Sequence, residues 1–225
     1  MTKPVVALTK GRVEKQFIQF LEERGFDVAP LLDKGRKLQV ETEQFFAFFA
    51  KGIDVATYVE HGIADLGIVG EDILLEVQPD VFDLLPLPFG QCRFAVAGEP
   101  DSNKALGKQK IATKYPNITT NKALGKQKIA TKYPNITTDY FRKQGKSVDI
   151  VKLEGSVELA PLLGLADDIV DIVETGNTLK ENGLVVKEEM FSISARCIAN
   201  RNSLKLKKAI LYPFIEAFRV EEVIK

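Results

Sequence analysis

The residues best able to do chemistry fall in one run, Asp171-Ile172-Val173-Glu174-Thr175-Gly176-Asn177-Thr178-Leu179, where an apolar strand ends in acids and turns into a helix. Such a loop offers backbone N–H groups, two hydroxyls and the positive end of a helix, which together suit a phosphate monoester. Glycine at 176 lets the backbone come close to phosphate oxygens. The carboxylates of Asp171 and Glu174 would then accept hydrogen bonds from ribose hydroxyls or help to hold Mg²⁺. As a plain strand-to-helix turn, the same letters would only cap a helix. The loop alone leaves both readings standing.

Lys10-Gly11-Arg12 follows the first apolar segment, at the strand end that faces ligand in a parallel sheet. Two cations at a helix start are unfavourable until an anion joins them, and pyrophosphate would serve, although by itself the segment reads first as a solvated basic turn. On residue type alone, Arg36 and Lys51 are surface charges, and Phe45-Phe46-Ala47-Phe48-Phe49 is core rather than a platform for stacking bases. His61 is the single histidine, which excludes a histidine-rich metal site and argues against a serine–histidine triad. Cys92 and Cys197 are too few and too far apart for a disulfide scaffold, and read as reduced thiols.

The 31 basic and 31 acidic side chains cancel, so the overall charge gives no support to a nucleic-acid partner. Hydrophobic residues at 45% and charged residues at 28% are ordinary globular values that argue against disorder, a fibre or a coiled coil. The longest aromatic-apolar run, Phe45 to Ala50, is far too short for a bilayer, and the N-terminus lacks the apolar core of a signal peptide. The expectation is a soluble cytoplasmic protein with no membrane contact.

Strands and helices must alternate to position these loops. Pro4–Thr9, Phe45–Ala50, Asp65–Gly70, Arg93–Ala97, Lys128–Tyr133, Val148–Leu153, Ile169–Val173 and a long Ile193–Ala199 read as strands. Helices are expected after Gly11 with Gly25 as C-cap, after a capping Asp54, from Glu71, from Pro134, from about Val157 to Leu165, and through Leu204 to Phe214. Repeated strand–helix units predict an α/β chain with mostly parallel sheets flanked by helices. Pro86-Leu87-Pro88-Phe89-Gly90 marks a boundary between two such domains, with a cleft between them.

Residues 103–120 and 121–138 are the same eighteen letters, NKALGKQKIATKYPNITT, twice. Structural repeats diverge, and a solenoid needs at least three units, so this identity is not architecture. A recent duplication, an engineered insertion or a sequence-assembly error would each leave it. One sheet has a single slot for the strand in each copy. The second copy leads directly into Asp139-Tyr140-Phe141-Arg142, so it is expected to fill the slot, with 103–120 as surplus in a loop.

Several segments together carry a resemblance. They are Lys10-Gly11-Arg12, Asp54 through Gly62, Ala64 to Gly70, Ile129 to Thr137, Gly155-Ser156-Val157-Glu158-Leu159-Ala160-Pro161, Asp171 to Leu179 with Asn182-Gly183-Leu184, and Ser194-Ala195-Arg196. In this order, over nearly the whole chain once one repeat copy is set aside, the sequence resembles the ATP phosphoribosyltransferase family. The chain ends soon after Arg219, which suits the family's short form without a C-terminal histidine-binding domain.

The resemblance implies two lobes like those of periplasmic binding proteins, with the active site in the cleft. Domain I would be residues 1–90 plus about 191–225, and domain II about 91–190. It also implies the first step of histidine biosynthesis. Adenine N1 of ATP attacks the anomeric carbon of phosphoribosyl pyrophosphate (PRPP), and pyrophosphate leaves. Mg²⁺ would arrive bound to PRPP rather than in a protein metal site. Thr175, Gly176, Asn177, Thr178 and Leu179 would cradle the 5-phosphate while Asp171 and Glu174 face the ribose. Lys10, Arg12, Arg36 and Lys51 would meet pyrophosphate or ATP phosphates, and Glu158 and Lys132 would stand at the cleft wall.

Lys51 occupies a position where the family more often has arginine, and Ala56 one where it usually has proline. The resemblance further implies a regulatory subunit similar to histidyl-tRNA synthetase and a homodimer within a hetero-oligomer. Two alternatives are a non-catalytic solute-binding or sensor protein, and a phosphoribosyltransferase for another base.

Overall fold

The computed structural model describes residues 3–100 and 126–219. The chain divides into two compact units, Met1–Gln91 with Ile193–Lys225, and Cys92–Ser192. The first unit opens with β1 (Val5–Thr9), α1 (Arg12–Glu22), α2 (Ala29–Leu32), β2 (Gln39–Glu41) and β3 (Phe46–Ala50), then α3 (Gly52–Glu60), β4 (Leu66–Gly70), α4 (Glu71–Val77) and β5 (Phe82–Pro86). The second holds β6 (Cys92–Gly98), β7 (Gln127–Thr131), α5 (Pro134–Lys143), β8 (Val148–Lys152), α6 (Leu159–Leu162), β9 (Asp168–Val173), α7 (Asn177–Glu181) and β10 (Val185–Ile193). The chain then returns to the first unit as β11 (Ala195–Ala199), α8 (Arg201–Leu206) and α9 (Lys208–Glu216).

In the first unit the strand order is β2-β3-β1-β4-β11-β5. β1 runs parallel to β3 and β4, while β2 and β11 are antiparallel to their neighbours. Apolar residues at helical spacing on α1 (Phe17, Ile18, Phe20 and Leu21) bury one face against this sheet. The Phe17 and Phe218 rings meet edge to face at 5.5 Å, and Phe214 and Phe218 at 4.8 Å. Val55 and Val59 of α3 cover the opposite face, with Ala7, Val69 and Ile198. A Cβ at Gly67 would stand 2.7 Å from Val59 Cγ2, so glycine is what lets α3 approach β4.

The returning segment is tied in by polar groups. The buried Asp65 carboxylate accepts the Val5 N–H at 3.0 Å and the Lys207 ammonium at 2.8 Å. The Asn200 side chain accepts the Asn202 and Ser203 N–H groups at the head of α8, and donates to the Val59 carbonyl at 2.8 Å.

In the second unit the order is β10-β6-β9-β7-β8, with β7 parallel to both β8 and β9, and β6 antiparallel to β9. The strand between β8 and β9 is Gln127–Thr131, from the second repeat copy, and Pro134 opens α5. Residues 103–120 lie outside the described residues. The core here is small-residue packing of Ala95, Ala130, Ala160 and Ala166 around Ile169, Leu179 and Leu184. Asp168 is buried within it, compensated by Lys187 Nζ at 2.5 Å and Gln127 Nε2 at 2.6 Å.

Several elements differ from the sequence reading. Both sheets are mixed: the parallel strands β3-β1-β4 have antiparallel neighbours on both sides, and β9-β7-β8 on one side only. The long strand expected over 193–199 is two strands broken at Ser194, and β2, β5 and β10 had no counterpart. The helix expected from Val157 to Leu165 is the single turn of α6. Asp54 lies in the first turn of α3 rather than capping it, since the N-cap is Lys51. Glu23 caps α1, and Gly25 follows with φ of 75° in the left-handed region. Among the described residues, no helix is long and apolar enough to cross a membrane.

Candidate functional site

The phosphate-type loop sits where β9 ends. Val173 is buried, Glu174 and Thr175 are exposed, and Gly176 turns the chain with φ of 79° and ψ of 4° as the N-cap of α7. Left-handed φ is easy for glycine and strained for a branched residue. The N–H groups that open a helix have no partner within it, so Asn177, Thr178 and Leu179 present theirs at the head of α7. The Asn177 N–H makes a long bond, 3.4 Å, to the Thr175 hydroxyl. The Leu179 side chain is buried in the core, which leaves its backbone as the group available to a ligand.

Register places the neighbouring groups. Thr131 pairs with Val170, so Lys132, the next residue, comes level with Asp171 beyond the end of β7. Asp171 also pairs with Ala95 of β6. Glu158 is half-buried just before α6, which packs against β9. On the far side of the loop, Arg93 of β6 pairs with Val173, and its guanidinium points Nη1 at the Glu174 carbonyl, 3.5 Å away. Nothing in the sequence marked Arg93 beyond its place at the start of a strand.

In the first unit, β1 and β3 end side by side. Thr9 pairs with Ala50, and the Lys10 N–H donates to the Ala50 carbonyl at 2.9 Å, which makes Lys10 and Lys51 neighbours. Lys10 and Arg12 flank Gly11, the N-cap of α1, and Lys51 is the N-cap of α3. Two helices therefore start with cations at their positive ends, an arrangement that an anion relieves. Glu14 steadies the head of α1, accepting the Gly11 N–H at 3.3 Å and pairing with Lys34 at 3.1 Å. Arg36 lies in the exposed turn before β2, where the Phe49 N–H donates to the Leu38 carbonyl at 3.0 Å. That bond sets the turn beside the end of β3. A concavity of about 340 Å³ lies nearby against β2, lined by Pro30, Asp33 and Lys37, and holds none of the expected site residues.

Each unit thus gathers its own set at its strand ends: Asp171, Lys132 and the 174–179 loop in one, Lys10, Arg12 and Lys51 in the other. Among the described residues no three acids, histidines or cysteines cluster as a metal site. Asp171 and Glu174 are hard oxygen donors of the kind that share Mg²⁺ with phosphate oxygens.

An α/β chain with a left-handed glycine turn heading a helix and two neighbouring helices that start with cations has the features of proteins that handle phosphorylated small molecules. Residues 51–220 match the model of HisG: ATP phosphoribosyltransferase. An ATP phosphoribosyltransferase of Bacillus cereus (strain G9842) is 50% identical over 96% of this chain and 95% of its own length. One from Bacillus anthracis (strain CDC 684 / NRRL 3495) is 49% identical over the same shares. Among solved structures, the ATP phosphoribosyl transferase (HisG:HisZ) complex from Thermotoga maritima matches with TM-score 0.72 and 34% identity, covering 97% of this chain and 96% of that one. The periplasmic aliphatic sulphonate binding protein SsuA from Escherichia coli shares the fold, with TM-score 0.60 at 15% identity over 97% and 72%. The chain belongs to the ATP phosphoribosyltransferase family. It is a transferase, and the family reaction opens histidine biosynthesis.

Proposed function

We propose that the 174–179 loop holds the 5-phosphate of PRPP while adenine N1 of ATP displaces pyrophosphate at the anomeric carbon with inversion. The observation that carries this site is the left-handed turn at Gly176 heading α7 directly after a strand bearing Asp171. Backbone N–H groups of the loop and the Thr175 and Thr178 hydroxyls would bind phosphate oxygens. Asp171 and Glu174 would hold the ribose, with Lys132 and Glu158 beside them. Lys10, Arg12, Arg36 and Lys51 would bind pyrophosphate or ATP phosphates.

The reaction needs no strong base or nucleophile, only alignment of two polyanions and a place for charge to collect on the leaving group. Single histidine content fits that demand. Mg²⁺ would enter bound to PRPP and would neutralise charge at the pyrophosphate, with Asp171 and Glu174 as the carboxylates that would help to hold it. A regulatory subunit is supported by the HisG:HisZ complex that the Thermotoga chain forms. We place the enzyme in the cytoplasm, as a homodimer within a hetero-oligomer.

Mixing the purified chain with ATP, PRPP and Mg²⁺, with and without that subunit, tests the reading. Formation of phosphoribosyl-ATP with pyrophosphate release is the expected result. Transfer to another base with none to ATP would overturn it, as would tight ligand binding with no turnover under either condition.

A further inference from the structure

We propose that Arg93 is a positioning residue for the phosphate loop, setting the peptide that joins Glu174 to Thr175. The inference rests on the reading of that loop as the PRPP site. β6, which carries Arg93, lies between β10 and β9 in the sheet. From there the guanidinium spans three strands. Its Nε forms an ion pair with Glu189 of β10 at 2.8 Å, close in distance though not aligned as a hydrogen bond, and its Nη1 makes a long contact with the Glu174 carbonyl, one residue past β9, at 3.5 Å. The backbone of Arg93 is itself fixed opposite Val173 by the β6–β9 register.

A planar trans peptide points its N–H away from its C=O. The contact on the Glu174 oxygen therefore also sets the direction of the Thr175 N–H, the first donor of the loop. That peptide turns about ψ of Glu174 and φ of Thr175, two exposed residues just ahead of the left-handed turn at Gly176. Glu189 has a second effect: it draws the guanidinium to one side and fixes which nitrogen faces Glu174. Lysine would keep the charge but offers one nitrogen, where arginine reaches the two acceptors from two nitrogens held apart in a rigid planar fork.

The test is calorimetry of PRPP and ATP binding to the full chain carrying Arg93→Met or Arg93→Lys, with thermal melting of each. Losing this long contact predicts PRPP binding weaker by about three- to tenfold in both variants and ATP binding unchanged within about twofold. Tyr140→Phe, which removes an unrelated bond to Glu188 in the same unit, controls for stability and should leave PRPP affinity intact. Wild-type PRPP affinity in Arg93→Lys would show that charge alone matters and overturn the positioning role. Equal weakening of PRPP and ATP would reduce Arg93 to a structural residue and also overturn it. Gly176→Val separates the two levels. If it loses PRPP while Arg93→Met does not, the loop stands and the role of Arg93 falls; if Gly176→Val keeps PRPP, the loop reading itself falls.

Discussion

Lys10 and Lys51 are the first residues beyond two neighbouring parallel strands, joined through the bond from the Lys10 N–H to the Ala50 carbonyl at 2.9 Å. Both stand at helix N-termini, so each repels its own helix and the other lysine. Binding a polyanion turns that cost into attraction. Lys51→Met should therefore raise the Tm of the free protein by about 1–3 °C. It should also lower kcat/KM by about tenfold or more, with a weaker salt dependence of association. A lower Tm together with unchanged kinetics would remove Lys51 from the anion site.

The repeat gives a sharper test of which letters fold. Ile129 is fully buried and pairs on both sides, with Ile150 of β8 and Asp168 of β9. Ile129→Asp puts an unpaired carboxylate in that slot and should cost about 3–5 kcal/mol, enough to abolish cooperative melting. We propose that Ile111, its counterpart in the other copy, tolerates Asp with little change in Tm, and that deleting residues 103–120 preserves the fold. The second copy alone runs on into Tyr140 and buried Phe141, whose packing a switch of copies would lose. The reverse ranking of the two isoleucines would assign the slot to the first copy.

These elements show what the letters could and could not reveal. β1, β3, β4 and β6 to β9 are runs of apolar residues bounded by glycine, proline or charge, so local pattern located them. β10 carries Lys187, Glu188 and Glu189 in its middle, and sits at a sheet edge where those charges find partners in Asp168, Tyr140 and Arg93. Its strand character comes from tertiary pairing. β2 has three residues, too few for any periodicity. The Thr-Gly-Asn-Thr turn was legible because its glycine is demanded by local backbone geometry. The adjacency of Lys10 and Lys51 was not, because it depends on the register between β1 and β3. Arg93 was invisible for the same reason, since its partners lie on β9 and β10.

Tyr140 and Glu188 form a pH-sensitive pair. The Tyr140 hydroxyl donates to Glu188 Oε1 at 2.5 Å, and Gln144 adds a bond at 2.9 Å. Burial first, then the bond to Glu188, pushes the Tyr140 pKa up to about 12, from 10.0. The same bond holds Glu188 below its ordinary 4.5. With its pKa raised on folding, Tyr140 contributes stability that is whole below pH 10.0 and is lost as pH rises toward about 12. Glu188, with its pKa lowered, contributes stability that is present above pH 4.5 and is lost as pH falls below that. Tyr140→Phe should flatten the alkaline fall in Tm between pH 10 and about 12, and Glu188→Gln should soften the acid limb. Parallel Tm-versus-pH curves for wild type and both variants would exclude the coupling.

PRPP binding to Gly176→Val tests the central assignment most directly. A Cβ at Gly176 would meet Val173 Cγ1 at an ordinary 3.8 Å, so the first side-chain atom clashes with nothing in the free fold. The cost to the fold is the left-handed φ of 79°, about 1–2 kcal/mol for a branched residue, which a 225-residue chain should survive. A ligand cradled by this turn would lose the close backbone approach entirely. Calorimetry should show a folded variant whose PRPP affinity has dropped by about a hundredfold or beyond detection. A folded Gly176→Val chain that binds PRPP as wild type does would contradict the assignment of the 174–179 loop.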